Sequence, residues 1–490
     1  MGYRHAATDD RMAGVLRPVR VSLMSGHEVL CDYVADQRIS ELREDAQSKL
    51  GRKIQIGKLI TSCGDTLPDH MTLKEAGIQY GESVTAIAEV GEVGGELDAA
   101  RTWRSKYDLQ DPRKLIQFLL DANIALVRLE YLHELLATGR RFLRRQEAEA
   151  ELTAAGLPAL VGPSELERVE IDTIGNLSIY VKDPSPHRVT VLIESISHPW
   201  ESMEHPDPHG FQLQQIVQMC PPLTSTHSIW VFYDFISLYQ YGGRTRPQEK
   251  CFREALEHMH TLYAHEATKV RIVDELTPET WKRPGTVEVF SGQAGRVIPV
   301  FVDQLKANPT PYSQRGWCQA ELQWSSLRMS LDTGTVPMEP GLFREKMEEQ
   351  GLRFTHHDDK ELVMKLQAQV FAEKVLTTRQ LMAENLDEDA LNVLCAALPF
   401  YADLDEIVVT GNLLSRNAAV AVANTNARSY QMESCGLEDD DVQEIVARLL
   451  HSDKVEKLQV AQNNIGPRGL QVLRELVEAK PDLYIDVLAG

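Results

Sequence analysis

The first part of the chain alternates apolar and polar residues and then changes to helical spacing. Alternation over 19–30, interrupted by a Ser-Gly turn, predicts a β-hairpin. Apolar residues recur every three or four positions over 39–50, which predicts a helix. Short apolar runs near 58–60 and 84–87 predict two further strands. The pattern over 18–92 therefore predicts an α+β domain with the element order β-β-α-β-β.

The central part of the chain alternates strand-like apolar runs with helical segments. The runs at 189–193, 229–234 and 297–302 are typical of buried strands, and a helical segment from Phe211 follows the first of them. This alternation predicts an α/β domain with a doubly wound sheet over 185–335. In such sheets ligands bind at the carboxyl ends of the strands, so we expect a site at that edge.

Three further segments carry weaker patterns. Residues 1–17 are expected to form a flexible N-terminus. Over 98–150, apolar residues at steps of three and four predict a helical connector, either one long amphipathic helix or a hairpin broken at Gly139. Residues 336–369 are expected to form a helical linker.

A repeated pattern occupies the region 370–490. The motif L-x-L-x-x-N/C-x-L has its polar position at Asn412, Cys435 and Asn463, and a degenerate turn has Glu384 there. Inward apolar residues of such repeats build a continuous core, and each backbone turn needs a hydrogen-bonding side chain. We therefore expect a short solenoid in which the two asparagines and the cysteine bind the backbone.

The outward residues of the repeat strands define a second candidate site. We expect them to form a concave surface that binds other proteins. The alternative is that this short array only caps the central domain. The candidate protein-binding residues are Glu406, Val408, Ser429, Gln431, Lys457, Gln459 and Asp486.

Composition limits the class of protein. Of the 490 residues, 43% are hydrophobic and 25% are charged, as in an ordinary globular chain, which excludes a wholly disordered or collagen-like protein. Asp and Glu number 72 against 51 Lys and Arg, and the resulting net charge of −21 argues against nucleic acid as a ligand. The sequence lacks an apolar run of about 18 residues, so we expect no membrane insertion.

The cysteines and the sequence motifs limit the cellular locations and the types of catalysis that we expect for the protein. The seven cysteines form no C-x-x-C pair, and the start of the chain lacks the apolar segment of a secretory signal. We therefore expect a reducing, cytoplasmic location. The common phosphate-binding, hydrolase and kinase signatures are absent, and we expect neither a cofactor nor a metal.

The N-terminal domain resembles ubiquitin, a β-grasp protein. The residues that carry the resemblance are Leu59-Ile60, Gly64, Leu67, Thr72 to Ile78 and Ser83-Val84. Two positions depart from ubiquitin: its exposed patch isoleucine falls on Thr61, and Gly94-Gly95 lies inside the chain. Because conjugation requires a free carboxyl terminus, the resemblance implies a built-in interaction module.

The central domain resembles Toll/interleukin-1 receptor (TIR) domains and the fungal heterokaryon-incompatibility domain. The best local match is Tyr-x-x-x-x-Trp-Cys-x-x-Glu-Leu at 312–322, together with polar residues that follow the predicted strands. In enzymatic TIR domains the glutamate of this segment cleaves the nicotinamide bond of NAD. The resemblance implies Glu321 as the catalytic carboxylate, and matches Asp234, Ser237 and Trp200 more loosely.

A non-catalytic interpretation of the same segment stays open. In that interpretation Trp317 and Leu322 are core residues, and Arg315 pairs with Glu321 at the surface. An open crevice that exposes Glu321 beside Trp200 would favour the enzyme instead. Cys318 as a nucleophile is disfavoured, because intracellular cysteines beside tryptophan are usually buried.

The C-terminal pattern resembles leucine-rich repeats of the ribonuclease-inhibitor type. Two of the three resemblances are to domains that chiefly bind proteins, and no complete catalytic constellation is visible. The sequence therefore favours an intracellular signalling adaptor with protein partners. The alternative is a TIR-like hydrolase with NAD as its substrate.

Overall fold

The protein is described by a computed structural model with a mixed α/β architecture and several sheets. It divides into two compact units, one formed by Met1–Thr102 with Thr378–Gly490 and the other by Trp103–Thr377. Within the described ranges no helix has the length and apolar character that a membrane crossing requires. The described residues are 17–23, 28–33, 36–50, 55–60, 66–76, 78, 83–89, 103–172, 175–183, 185–328, 335–349, 351–354 and 359–487.

The N-terminal sheet has five strands and one helix. Its strand order is β2-β1-β5-β3-β4, with β1 and β5 parallel and the other pairs antiparallel. Its elements are β1 (Arg17–Leu23), β2 (Glu28–Tyr33), α1 (Ile39–Leu50), β3 (Gln55–Ile60), β4 (Thr66–Leu67) and β5 (Ser83–Glu89). The predicted hairpin, helix and later strands are thus present.

Apolar residues from the strands and from α1 form one core under this sheet. Val19, Val21 and Leu59 point from the strands toward Leu42 and Ala46 of α1, and all five are buried. The alternation in β1 and the three- and four-residue steps in α1 therefore both mark the buried face.

Several sequence predictions lie outside the described residues. They are the flexible N-terminus over 1–17, apart from Arg17, the patch position Thr61, and the Gly94-Gly95 pair.

The unit Trp103–Thr377 contains most of the helices. Its first elements are α2 (Pro112–Asp121), β6 (Leu126–Arg128), α3 (Leu129–Thr138), α4 (Arg145–Ala148), β7 (Leu160–Val161), α5 (Pro163–Leu166), β8 (Glu170–Ile171), β9 (Leu177–Asp183) and β10 (Ser185–Ser197). The next are α6 (Phe211–Met219), β11 (His227–Phe232), α7 (Asp234–Ser237), α8 (Arg246–Glu257), α9 (His260–Ala264) and β12 (Thr268–Ile272). The last are β13 (Thr286–Ser291), β14 (Arg296–Phe301), α10 (Gly316–Ser326), α11 (Pro340–Glu349) and α12 (Asp359–Thr377).

The main sheet of this unit is organised around the long strand β10. Strand β10 pairs parallel with β11 and β12 and antiparallel with β9, and the sheet continues through β6 to β7 and through β9 to β8. Because β10, β11 and β12 run in the same direction, their carboxyl ends lie at one edge of the sheet. Residues that follow these strands are therefore brought together there.

Two segments differ from their sequence predictions. The region 98–150 is not a connector of helices alone, because β6 lies between α2 and α3 and pairs with β11. The apolar run at 297–302 becomes β14, which pairs with β13 in a separate two-stranded sheet and does not join the main sheet. Periodicity identifies a strand or helix but does not say which strand it will pair with.

The C-terminal region forms a parallel sheet of five short strands in chain order. Its elements are β15 (Gln380–Met382), α13 (Glu388–Ala397), β16 (Glu406–Val408), α14 (Arg416–Ala423), β17 (Ser429–Gln431), α15 (Asp439–Leu449), β18 (Lys457–Gln459), α16 (Pro467–Ala479) and β19 (Tyr484–Asp486). Leu381, Ile407, Tyr430, Leu458 and Ile485 are aligned by the strand register. The first four of these are buried, as the repeat pattern predicts.

The polar position of the repeat binds the backbone of neighbouring turns. Asn412 donates to the carbonyl oxygens of Ala383 and Val409 at 2.7 and 2.6 Å and accepts from the Leu386 amide at 2.5 Å. Asn463 makes the same kind of contacts two turns later, after the turn that contains Cys435. The predicted role of the asparagines is therefore confirmed, and Cys435 adds an S–H contact to a carbonyl oxygen at 3.2 Å.

Candidate functional site

The carboxyl edge of the main sheet gathers the polar residues that follow β10 and β11. Ser197 is the last residue of β10, and Trp200 follows three positions later. Asp234 begins α7, two residues after β11 ends. Helix α10 carries Glu321 to Ser197 from a distant part of the sequence.

Glu321 belongs to a buried chain of oxygen atoms. The Oγ atom of Ser197 lies 2.5 Å from Oε2 of Glu321 and 2.7 Å from the Tyr312 hydroxyl oxygen. The Tyr312 hydroxyl donates to the carbonyl oxygen of Cys318 at 3.1 Å. Ser197 is fully buried and Glu321 is 9% exposed, so these polar groups satisfy one another away from bulk water.

The surroundings of Glu321 favour its neutral form. Burial raises the pKa of this carboxyl to about 8, the Ser197 contact opposes the shift, and the nearby charge of Asp234 adds to it. A hydrogen bond with Tyr263 also opposes the shift. Tyr263, Tyr312 and Cys318 are buried beside Glu321, and burial raises the pKa of each. Glu321 is therefore protonated in a large fraction of molecules at neutral pH.

Asp234 lies in a different environment at the same edge. Its Oδ1 atom is 3.0 Å from His198 Nε2, its Oδ2 atom accepts from Trp200 Nε1 at 2.9 Å, and its side chain is 32% exposed. The His198 ring stacks on Tyr233 with ring centroids 4.0 Å apart. Asp234 is thus held between the side chains of His198 and Trp200.

Arg315 does not pair with Glu321, which corrects one of the two sequence-based interpretations. Its guanidinium is buried and donates to the carbonyl oxygens of Thr310, Trp200 and Asn308 at 2.8, 2.8 and 3.0 Å. Because Glu321 is also buried, the structure gives neither the open crevice nor the surface ion pair that we considered.

Ser237 is close to Asp234 in the sequence, but its hydroxyl group contacts the backbone and not the other candidate site residues. Its hydroxyl accepts from the Tyr233 amide at 3.2 Å, and its carbonyl oxygen accepts from Arg145 at 3.2 Å. Ser237 is fully buried. Glu321 and Ser197 thus form one group, Asp234 and Trp200 form another, and Ser237 belongs to neither.

Cys318 and His205 are occupied by structural contacts. Burial raises the pKa of the Cys318 thiol well above its usual range, and its S–H contacts the His198 carbonyl oxygen at 3.4 Å. His205 contacts the Phe142 carbonyl oxygen through Nε2 and accepts from the Asp207 amide through Nδ1. A thiolate nucleophile is therefore disfavoured, and both ring nitrogens of His205 are in use.

One cluster with metal-ligand chemistry was not found by sequence analysis. A carboxylate oxygen from each of Glu254 and Glu257 and a ring nitrogen of His258 lie within 4.8 Å of one another. Glu254 is already bound to Lys106 and to the Tyr107 hydroxyl, so it has competing partners. The signal in the sequence, Glu-x-x-Glu-His, is too common on solvated helices to be diagnostic.

The strand register places the predicted protein-binding residues on one face in two rows. One row contains Gln380, Glu406, Ser429, Lys457 and Tyr484, and the other contains Met382, Val408, Gln431, Gln459 and Asp486. Val408 is only 5% exposed, which corrects its assignment as a contact residue. The two ends of the face carry exposed Met382 and Tyr484, which the sequence analysis missed.

Comparisons with known proteins add little to this description. No family model matches the chain, and no curated protein matches it. A solved structure of a de novo designed protein based on ubiquitin is similar over 15% of this chain and 89% of its own length, with 21% identity and a TM-score of 0.14. A similarity at that level carries no argument about function.

Proposed function

We propose that the protein is a cytoplasmic signalling adaptor that binds other proteins through the face of its C-terminal strands. In this proposal the C-terminal region is a leucine-rich-repeat solenoid, the N-terminal sheet is a ubiquitin-like β-grasp module, and the unit Trp103–Thr377 is TIR-like. The N-terminal strand order, with β1 and β5 parallel at the centre, supports the β-grasp assignment.

The observation that carries the proposal is the alignment of the repeat strands. Neighbouring parallel strands are about 4.8 Å apart, so five of them present a continuous surface roughly 19 Å wide. Glu406 and Lys457 are partly exposed at the middle of this surface. Met382 and Tyr484, which are 45% and 58% exposed, add side chains of the types that dominate protein interfaces.

Charge reversal on this face tests the proposal. Immobilised wild-type protein is compared with the double variant Glu406→Lys, Lys457→Glu, and proteins captured from cell extract are identified by mass spectrometry. The matched control is Glu478→Lys, which changes an exposed charge on α16 away from the strands. We expect partners that the control retains and the double variant loses, and equal capture by all three proteins would reject this face.

A second candidate function, a TIR-like hydrolase, is favoured by a specific observation in the unit Trp103–Thr377. Glu321, Asp234 and Trp200 lie at the carboxyl edge of the parallel strands, where α/β proteins bind ligands. Two carboxyl groups in unlike environments are a common basis for acid and base roles. This candidate is tested by incubating the protein with NAD and following nicotinamide release, with Glu321→Gln for comparison.

A further inference from the structure

The face of the repeat strands carries its charges symmetrically about its middle strand. Strand β17 is the third of the five strands, with β16 on one side and β18 on the other. Glu406 of β16 and Lys457 of β18 lie in the same row as Ser429 of β17, one strand to either side of it. Within the residues that the structure describes, neither charged side chain forms an ion pair. The face therefore presents one negative and one positive charge at equal distances from its centre.

This arrangement of charges is complementary to itself. A two-fold axis that lies parallel to the strands, directly over β17, brings a second copy of the chain face to face with the first and reverses the order of its strands. Glu406 of each copy then lies opposite Lys457 of the other, so the isologous contact contains two equivalent ion pairs. Stacked sheets are about 10 Å apart, a gap that a glutamate and a lysine side chain span together.

The other two-fold axis that could bring two copies face to face gives no such pairing. This axis runs across the strands and exchanges the two rows of the face. Glu406 would then lie opposite Val408, and Lys457 would lie opposite Gln459. Neither of these opposing residues carries a charge, so charge complementarity selects the axis parallel to the strands.

The exposed apolar side chains at the two ends of the face fit the same axis. Met382 lies on the first strand, β15, and Tyr484 lies on the last strand, β19. Reversal of the strand order brings Tyr484 of one copy over the strand that carries Met382 of the other, with the two residues in adjacent rows about 7 Å apart. Contact between them removes apolar surface from water at both ends of the dimer.

On the basis of the protein-binding role proposed above for the repeat strands, we infer that their face binds a second copy of this chain, related by the two-fold axis parallel to the strands. The two rows span only about 7 Å by roughly 19 Å, much less area than the roughly 800 Å² per partner of a stable interface. Two copies that each carry a net charge of −21 also repel each other. The dimer is therefore weak, with an expected Kd on the order of 100 µM.

Sedimentation equilibrium of the full-length protein tests the pairing by charge exchange. Glu406→Lys places lysines opposite each other in both pairs, and Lys457→Glu places glutamates opposite each other. Each single variant should therefore weaken dimerisation at least about tenfold. The double variant Glu406→Lys, Lys457→Glu restores both pairs and should dimerise as the wild type does. An equimolar mixture of the two single variants should also dimerise, because one copy supplies two positive charges and the other supplies two negative charges.

Matched controls separate this pairing from the overall charge of the chain. Glu478→Lys and Arg474→Glu change the net charge by the same amounts as the single variants, at exposed positions on α16. Both controls should dimerise as the wild type does. A loss of dimer in the controls equal to that in the single variants would overturn the proposal.

A residue on the axis provides a second, independent test. Glu433 follows Gln431 by two positions in the turn of β17 and accepts a hydrogen bond from Gln459 of the same face at 3.2 Å. A residue on the axis meets its own copy, so the two Glu433 carboxylates oppose the dimer. Glu433→Gln should therefore tighten dimerisation about two- to fivefold relative to Glu478→Gln. An unchanged or weaker dimer in Glu433→Gln would overturn this axis.

The remaining outcomes distinguish this dimer from the proposed function. A wild type that stays monomeric up to about 500 µM would overturn the dimer, as would single variants that dimerise normally or a double variant that does not recover. None of these outcomes changes the capture experiment, which detects foreign proteins. Because the double variant is expected to lose foreign partners and to keep the dimer, the two proposals can fail separately.

Discussion

Polar side chains that are buried or partly buried serve different purposes in the C-terminal repeats and at the edge of the central sheet. In the repeats, Asn412 and Asn463 bind backbone amides and carbonyl oxygens, whose protonation is fixed. At the sheet edge, Glu321 binds Ser197, and Ser197 binds Tyr312, so each partner is itself able to donate or accept. The first arrangement is therefore insensitive to pH, whereas the second changes when Glu321 ionises.

The largest expected effect is the pH dependence of the unit Trp103–Thr377. Because the folded-state pKa of Glu321 is raised from 4.5 to about 8, its protonated form stabilises the fold fully below about pH 4.5, and this contribution is lost as the pH rises through about 8. The loss is on the order of 5 kcal/mol in the free energy of unfolding. Glu321→Gln should abolish it, because an amide does not ionise.

Tryptophan fluorescence can follow this unit selectively. All six tryptophans of the chain lie between Trp103 and Trp324. The control variant is Glu288→Gln, which changes an exposed glutamate on β13. Urea unfolding at about pH 5, 7 and 9 should show a stability that falls with pH in the wild type and in this control. In Glu321→Gln the stability should fall less. Parallel pH profiles for all three proteins would mean that Glu321 titrates normally in the folded state.

The next largest effect is expected from the repeats. Asn412→Ala removes three hydrogen bonds, two of them buried; the Leu386 amide and the Ala383 carbonyl oxygen lose this partner, and the Val409 carbonyl oxygen keeps only its contact with the Cys435 thiol. We expect a loss of about 3 kcal/mol in the stability of the neighbouring turns, at every pH. The repeats contain no tryptophan, so amide hydrogen exchange measured by mass spectrometry is the suitable readout.

An exposed asparagine elsewhere in the repeats provides the control for Asn412→Ala. Asn464 is exposed and follows Asn463 directly, so Asn464→Ala should leave exchange of the repeat strands unchanged. If Asn412→Ala and Asn464→Ala had equal effects, the buried amide would not be what holds the turn.

The same contrast explains which features could be predicted from the sequence. The asparagine role follows from local spacing, because each turn repeats the same short pattern around its own backbone. The burial of Arg315 could not be predicted from local spacing, because one of its carbonyl acceptors belongs to Trp200, which is far away in the sequence. Val408 has the alternation of an outward residue and is nevertheless buried. The pairing of β14 with β13 likewise could not be predicted, because the spacing of apolar residues carries no information about which strands pair.

The smallest effect is expected at an ion pair on the surface of the repeats. Arg428 bridges Asp405 and Glu456 at 3.2 and 2.8 Å, and all three side chains are more than half exposed. Surface ion pairs gain little because water and salt screen them. Arg428→Ala should therefore leave hydrogen exchange in β16, β17 and β18 within experimental error of the wild type. An opening of the strands comparable to that in Asn412→Ala would show that charges along the strand ends, and not buried amides, hold the repeats in register.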